Sequence, residues 1–340
     1  MKESDRAGFG NLLKNSTLPQ NVRVTISGAY PSQESAQRIL GTVVFFMRLY
    51  GTQLDLRGVD SIAIADDYHQ TIAKLDRGFK APALVPSNDA FGTGYAMAVP
   101  VLRDGAVKTS IVLRSELAWA LDDPDHEMYS RAMHLLAHEA AHAHDNEVLR
   151  RTLPEFGKPS GKDSSDEYLL STAHISWMEY IASRLSAQWG IRTYCGELEP
   201  RLCDMLSSAK EKADESLHGY RFHRNQKLVE GEIRNIFGKI LIRSSYLVGH
   251  IHGIGKTVAE MAPQYCNLIN EQTWFSPTFQ RYESTLVEMH STYGSWTSAD
   301  VFRPLVGTCE ALLSAGGMRY LEEFRDEKLG SHLDRIQAKT

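Results

Sequence analysis

YAMAVPVLRDGAVKTSIVL, residues 95 to 113, sets two β-rich runs on either side of Asp104-Gly105. Asp-Gly supplies the positive φ that a two-residue hairpin turn demands, so the stretch predicts two antiparallel strands joined at 104–105. Pro100 has no backbone donor and places its run near a sheet edge.

Upstream, VRVTIS (22–27) alternates like a strand, and PSQESAQRILGTVVFFMRLYG predicts a helix from Pro31 to a stop at Gly51. SIAIA (61–65) is a short buried strand. DDYHQTIAKLDRG is a helix capped by Asp66 or Asp67 and ended by Gly78. Downstream, a helical pattern runs from about Glu127 to Arg151. The order of strand, helix, strand, helix, hairpin and long helix gives an α+β fold class, with a small mixed sheet backed by helices.

TLPEFGKPSGKDSSD (152–166) is a loop by its Pro, Gly and Ser content. Ser164 and Glu167 have capping-box spacing for the next helix, which stops at Gly190. Beyond it the pattern is helical, near 197–216, 226–263, 267–293 and 308–337. The chain is thus expected to divide into a mixed region, 1–190, and a mainly α-helical C-terminal region, 191–340.

Net charge is −5, so no global positive field draws the chain to nucleic acid or anionic lipid, and neither is expected as a partner. The four cysteines, Cys195, Cys203, Cys266 and Cys309, show no CxxC pairing and read as reduced thiols. No apolar segment resembles a signal peptide at the N-terminus, and the longest greasy run, ILGTVVFFM (39–47), is too short to span a bilayer. A cytoplasmic setting is expected.

The chemistry concentrates in HLLAHEAAHAHD (134–145), which contains His138-Glu139-Ala140-Ala141-His142, the pattern HExxH. Histidines four apart share one helical face, so both imidazoles can reach one Zn²⁺. Glu139, beside the first ligand, is the natural general base. The extended pattern HExxHxxGxxH fails, because Asp145 stands where glycine is needed and Val148 where the third histidine would be. A carboxylate from a later helix is the other common third ligand. Glu179 lies on a face with Thr172, Ser176, Ser183 and Ser186, small hydroxyl residues that let helices approach closely. A polar, solvated helix face is the alternative reading of that pattern. Glu167 and Glu147 are weaker rivals, the first explained by the helix dipole and the second lying beyond the metal face.

These residues resemble the zincin metallopeptidases, in the gluzincin arrangement of HExxH followed downstream by glutamate. Over residues 30–190 the element order is similar to the compact ImmA/IrrE-type peptidases. The resemblance implies zinc as cofactor, with His138, His142 and Glu179 as metal ligands and Glu139 as the catalytic base. It also implies an edge strand before the active helix that binds an extended peptide, here KTSIVL (108–113). The activity implied is that of a zinc-dependent endopeptidase on a protein or peptide substrate, the C-terminal half serving as an accessory region for recognition, a regulatory partner or self-association. The competing reading is a non-catalytic protein-interaction module of the same fold.

Other features carry bland readings beside functional ones. Asp145 could orient His142 or simply be solvated. His134 and His144 read as ordinary histidines, and Tyr180, Tyr220 and His223 are candidates for steadying an oxyanion. GHIHGIGKT (249–257) misses the P-loop spacing, since His250 stands where glycine is required. RFHRNQK (221–227) reads as a solvated helix start. The 152–166 loop is long enough to overhang a cleft.

Overall fold

The computed structural model describes residues 14–80, 84, 88–89, 92–154, 164–190 and 194–315. It is an α+β protein whose two compact units comprise 1–154 with 185–192, and 155–184 with 193–340.

The first unit is built on a four-stranded sheet of β1 (Arg23–Ser27), β2 (Val59–Ala65), β5 (Ala96–Arg103) and β6 (Ala106–Arg114), in the order β1-β2-β6-β5. β1, β2 and β6 run parallel, and β5 joins β6 antiparallel. The hairpin turns as its sequence predicts, with Asp104 at φ 52° and Gly105 at φ 76°. β3 (Asn88–Asp89) and β4 (Gly92–Thr93) form a separate small ribbon. β6 is buried from Thr109 to Leu113 without alternation, the mark of a strand covered on both faces. On one face Val112 packs with Tyr68 and Ile72 of α2 (Tyr68–Lys74), beside Ala63 and Met97.

α1 (Gln33–Tyr50) begins at Ser32, whose side chain accepts from the Ser35 amide, and ends at Gly51. α2 is capped by Asp67, which accepts from the Gln70 amide. α3 (Ser115–Asp122), a helix not expected from the sequence, starts directly where β6 ends, with no side-chain cap. α4 (Tyr129–Thr152) carries the HExxH stretch and lies along β5 and β6.

The second unit is helical: α5 (Ser164–Ser186), α6 (Tyr194–His223), α7 (Gln226–Gly253), α8 (Val258–Met261), α9 (Pro263–Glu271), α10 (Ser276–Ser291) and α11 (Arg303–Ala315). The last two residues of α5 fall in the first unit. Its small-residue face is buried at Thr172, Ser176, Ser183 and Ser186, which excludes a solvated surface. α7 runs parallel to it and meets it at two glycines three turns apart. A Cβ on Gly238 would lie 3.5 Å from Thr172, and one on Gly249 would lie 2.3 Å from the Tyr180 carbonyl oxygen and 3.0 Å from Ser183. An expected capping role for Ser164, residues 155–163 of the expected loop, and 316–337 of the last expected helix lie outside the described residues or side chains. No helix among the described residues is long and apolar enough to cross a membrane. All four cysteines are free.

Candidate metal and catalytic site

One turn of α4 places His138 and His142 on the same side, their ring centroids 4.6 Å apart with the planes at 90°. Ala137, Ala140 and Ala141 are fully buried on the remainder of the turn, so the helix is seated by small apolar residues while the imidazoles project elsewhere. His138, Glu139 and His142 are buried, each with 7 to 9% of its surface exposed.

Glu139 is held by the sheet. Its Oε2 accepts the backbone N–H of Ala98 at 2.6 Å, a charge-assisted bond that fixes one carboxylate oxygen and leaves the other to act. Ala98 is in β5, the outer strand of the sheet, and this N–H is one of the donors that face away from β6. Two residues on, at the same register, Pro100 has no donor to offer. Leu102 donates its N–H to the Arg77 carbonyl at 2.7 Å, and the Pro100 carbonyl accepts from Arg77 Nε at 3.3 Å. Gly78, at φ 72°, permits that approach, since a Cβ there would lie 2.3 Å from the Leu102 oxygen.

This corrects the expected peptide shelf. KTSIVL is β6, an inner strand whose backbone is committed to β2 and β5, and the exposed edge belongs to β5. The hairpin folds with its proline-bearing strand outward because only that strand can do without a full ladder. Between Ala98 and Leu102 even this edge is occupied, by Glu139 and by the Arg77-Gly78 turn.

Glu179 is half-buried on α5, beside the Tyr246 hydroxyl, which hydrogen-bonds to it, and near Tyr194. Burial first, and then the negative charge of Glu179, pushes both phenols up, so both remain protonated, Tyr246 as a donor to the carboxylate and Tyr194 hydrogen-bonded to Ser183 instead. Among the described residues one group of three metal-ligating side chains comes together: His138, His142 and Glu179, with ligand atoms all within 4.8 Å of one another. Two imidazoles and a carboxylate form a zinc-type donor set, and a tetrahedral site with bonds of about 2.0 Å needs ligand atoms about 3.3 Å apart.

The rival glutamates are engaged or remote. Glu147 forms a bidentate pair with Arg150 at 2.5 and 3.0 Å, and Glu167 is exposed. Asp145 is 1% exposed, which removes its solvated reading. His144 accepts the Asp55 amide at 2.7 Å and burial pulls its pKa down, so it is a neutral acceptor pointing away from the two ligands. His134 is buried.

Tyr180 is taken by other work, since Arg184 donates to its hydroxyl at 2.7 Å and His252 Nδ1 lies 3.1 Å away. Tyr220 and His223 pack against each other near the end of α6. In GHIHGIGKT the histidines end α7, Lys256 pairs with Glu260 at 3.2 Å, and Thr257 caps α8 in a capping box. Phosphate binding therefore has neither its strand nor its lysine there. Around RFHRNQK, Asn225 caps α7 and Phe222 is 89% exposed.

Two contributors were invisible in the sequence. The Ala98 amide leaves no trace, because any residue but proline supplies it, and Tyr246 lies far along the chain from Glu179 with nothing to pair them. Comparison of the chain with protein-family models, with curated proteins and with solved structures finds no match.

Proposed function

We propose that the chain is a zinc-dependent endopeptidase, with His138, His142 and Glu179 as metal ligands and Glu139 as general base. The observation that carries the reading is the grouping of the HExxH histidines with a glutamate some forty residues on, which accepts from the Tyr246 hydroxyl.

When bound, Zn²⁺ supplies a Lewis acid that acidifies water towards neutral pH and polarises a carbonyl. The chain's own residues do the rest. Glu139, held at one oxygen by Ala98, accepts a proton at the other and returns it to the leaving amine. Tyr246 keeps Glu179 oriented by donating to it, as outer partners of metal ligands do. The outer edge of β5 next to Ala98 limits how a substrate backbone approaches Glu139, since the stretch from Pro100 to Leu102 is already bonded. Free cysteines fit a reducing, cytoplasmic setting for this activity, and a protein or peptide is its substrate.

The test is a comparison of newly formed protein N-termini in a lysate treated with zinc-loaded wild type or with Glu139→Gln. The proposal expects a set made by the wild type alone and abolished by a chelator. Identical sets from both proteins contradict it and favour the interaction-module reading.

A further inference from the structure

Tyr68 stands at the start of α2 with 1% of its surface exposed, its ring packed on Ile72 and Val112 with Met97 alongside. Among the described residues its hydroxyl has no hydrogen-bond partner. A buried hydroxyl left unsatisfied costs about 1–3 kcal/mol, and phenylalanine would fill the same space without that cost. Packing therefore explains the ring and leaves the oxygen unexplained.

The surroundings of the oxygen are specific. The Arg114 guanidinium lies 5.2 Å from the Tyr68 ring centroid, donates to the Gly94 carbonyl at 3.0 Å and to His69 Nε2 at 3.2 Å, and has no carboxylate within ion-pair distance among the described residues. Met97, packed against Tyr68, precedes Ala98, whose N–H holds Glu139. The Glu139 charge is felt at Tyr68 and, after burial, raises its hydroxyl's pKa, so the group stays a donor. A buried protonated donor beside a half-buried cation without a carboxylate partner suits an oxygen atom arriving from a ligand.

We propose that the Tyr68 hydroxyl donates to an amide or carboxylate oxygen of the substrate held beside Glu139, with Arg114 providing the positive field that favours oxygen there. The inference rests on the peptidase reading and adds to it a substrate-binding donor that precedes the HExxH helix in the chain.

The experiment compares wild type with Tyr68→Phe, both zinc-loaded and full length, in three measurements: thermal midpoint without ligand, zinc per chain, and affinity for a peptide hydroxamate. The expected result is an unchanged or higher midpoint, unchanged zinc, and binding weaker by about 10-fold to 100-fold. A midpoint several degrees lower gives the hydroxyl a structural role and overturns the inference. So does an affinity within twofold of wild type while the wild type holds both zinc and hydroxamate. A wild type that fails to hold zinc, or to bind the hydroxamate, overturns the peptidase reading and this inference with it.

Discussion

The backbone N–H of Ala98 donates to the carboxylate of Glu139 at 2.6 Å, so the outermost strand of the sheet positions the proposed base on the neighbouring helix. A hydrogen bond to a charged group contributes about 1.5–3 kcal/mol. Because this donor faces away from β6, Ala98→Pro removes it without breaking a ladder bond, as Pro100 already does two residues on. The substitution is expected to lower the thermal midpoint by several degrees while leaving the zinc ligands intact. Ala98→Val keeps the amide and should behave as wild type. Equal midpoints for all three proteins would show that the bond contributes nothing.

Glu139→Gln retains an oxygen that can accept from Ala98. Its midpoint should stay within about 2 °C of wild type, since no buried donor is orphaned. Hydrolysis of the natural substrate, once identified from its new N-termini, should fall by about 10²–10⁴, the usual loss for a general base. Steady-state assays that find full activity would remove Glu139 from the chemistry.

Gly249 lets α7 approach α5 beside Glu179. Gly249→Ala would place a methyl 2.3 Å from the Tyr180 carbonyl oxygen, and overpacking of this kind costs about 1–3 kcal/mol even against the gain in helix propensity. Gly231, on the same helix with open space around it, is the control, and Gly231→Ala should be neutral or stabilising by up to about 1 kcal/mol. Denaturant unfolding of the two variants should move them in opposite directions, and a stabilised Gly249→Ala would show that the approach is not tight.

The sequence predicts the hairpin because Asp104-Gly105 satisfies a local demand for positive φ, and it predicts α4 because no glycine or proline interrupts the chain between Pro124 and Pro154. Which hairpin strand lies outermost is a matter of tertiary pairing. The proline in β5 and the unbroken apolar run SIVL in β6 both bear on it, yet the family resemblance pointed to the inner strand. α3 escaped because Arg114 ends β6 and precedes the helix directly, with no turn residue or capping side chain between them. The small-residue face of α5 was legible as a seam, whereas its partner glycines on α7 were not, since nothing local ties Ser183 to Gly249. Tyr68 reads as one more core aromatic until its oxygen is followed.

The Asp55 carboxylate is held below the usual carboxylate range, chiefly by hydrogen bonds from the Arg57 side chain at 2.6 and 2.8 Å. A lowered folded-state pKa means that this pair stabilises the protein above the ordinary value of 3.8 and that the contribution disappears as pH falls through the lowered one. Solvent screens the exposed Arg57, which keeps the effect small. Urea unfolding should find wild type more stable than Asp55→Asn at pH 7, with the difference shrinking as pH falls below the ordinary value of 3.8. A constant difference across the range would assign the loss to something other than the charge.

The most direct test of the account is zinc per chain by elemental analysis, on purified wild type, Glu179→Ala and Glu139→Gln. The account predicts close to one zinc in wild type and in Glu139→Gln, and loss of zinc in Glu179→Ala. A folded wild type that carries no metal and takes up no added zinc would contradict it, leaving HExxH as a coincidence of a histidine-rich helix.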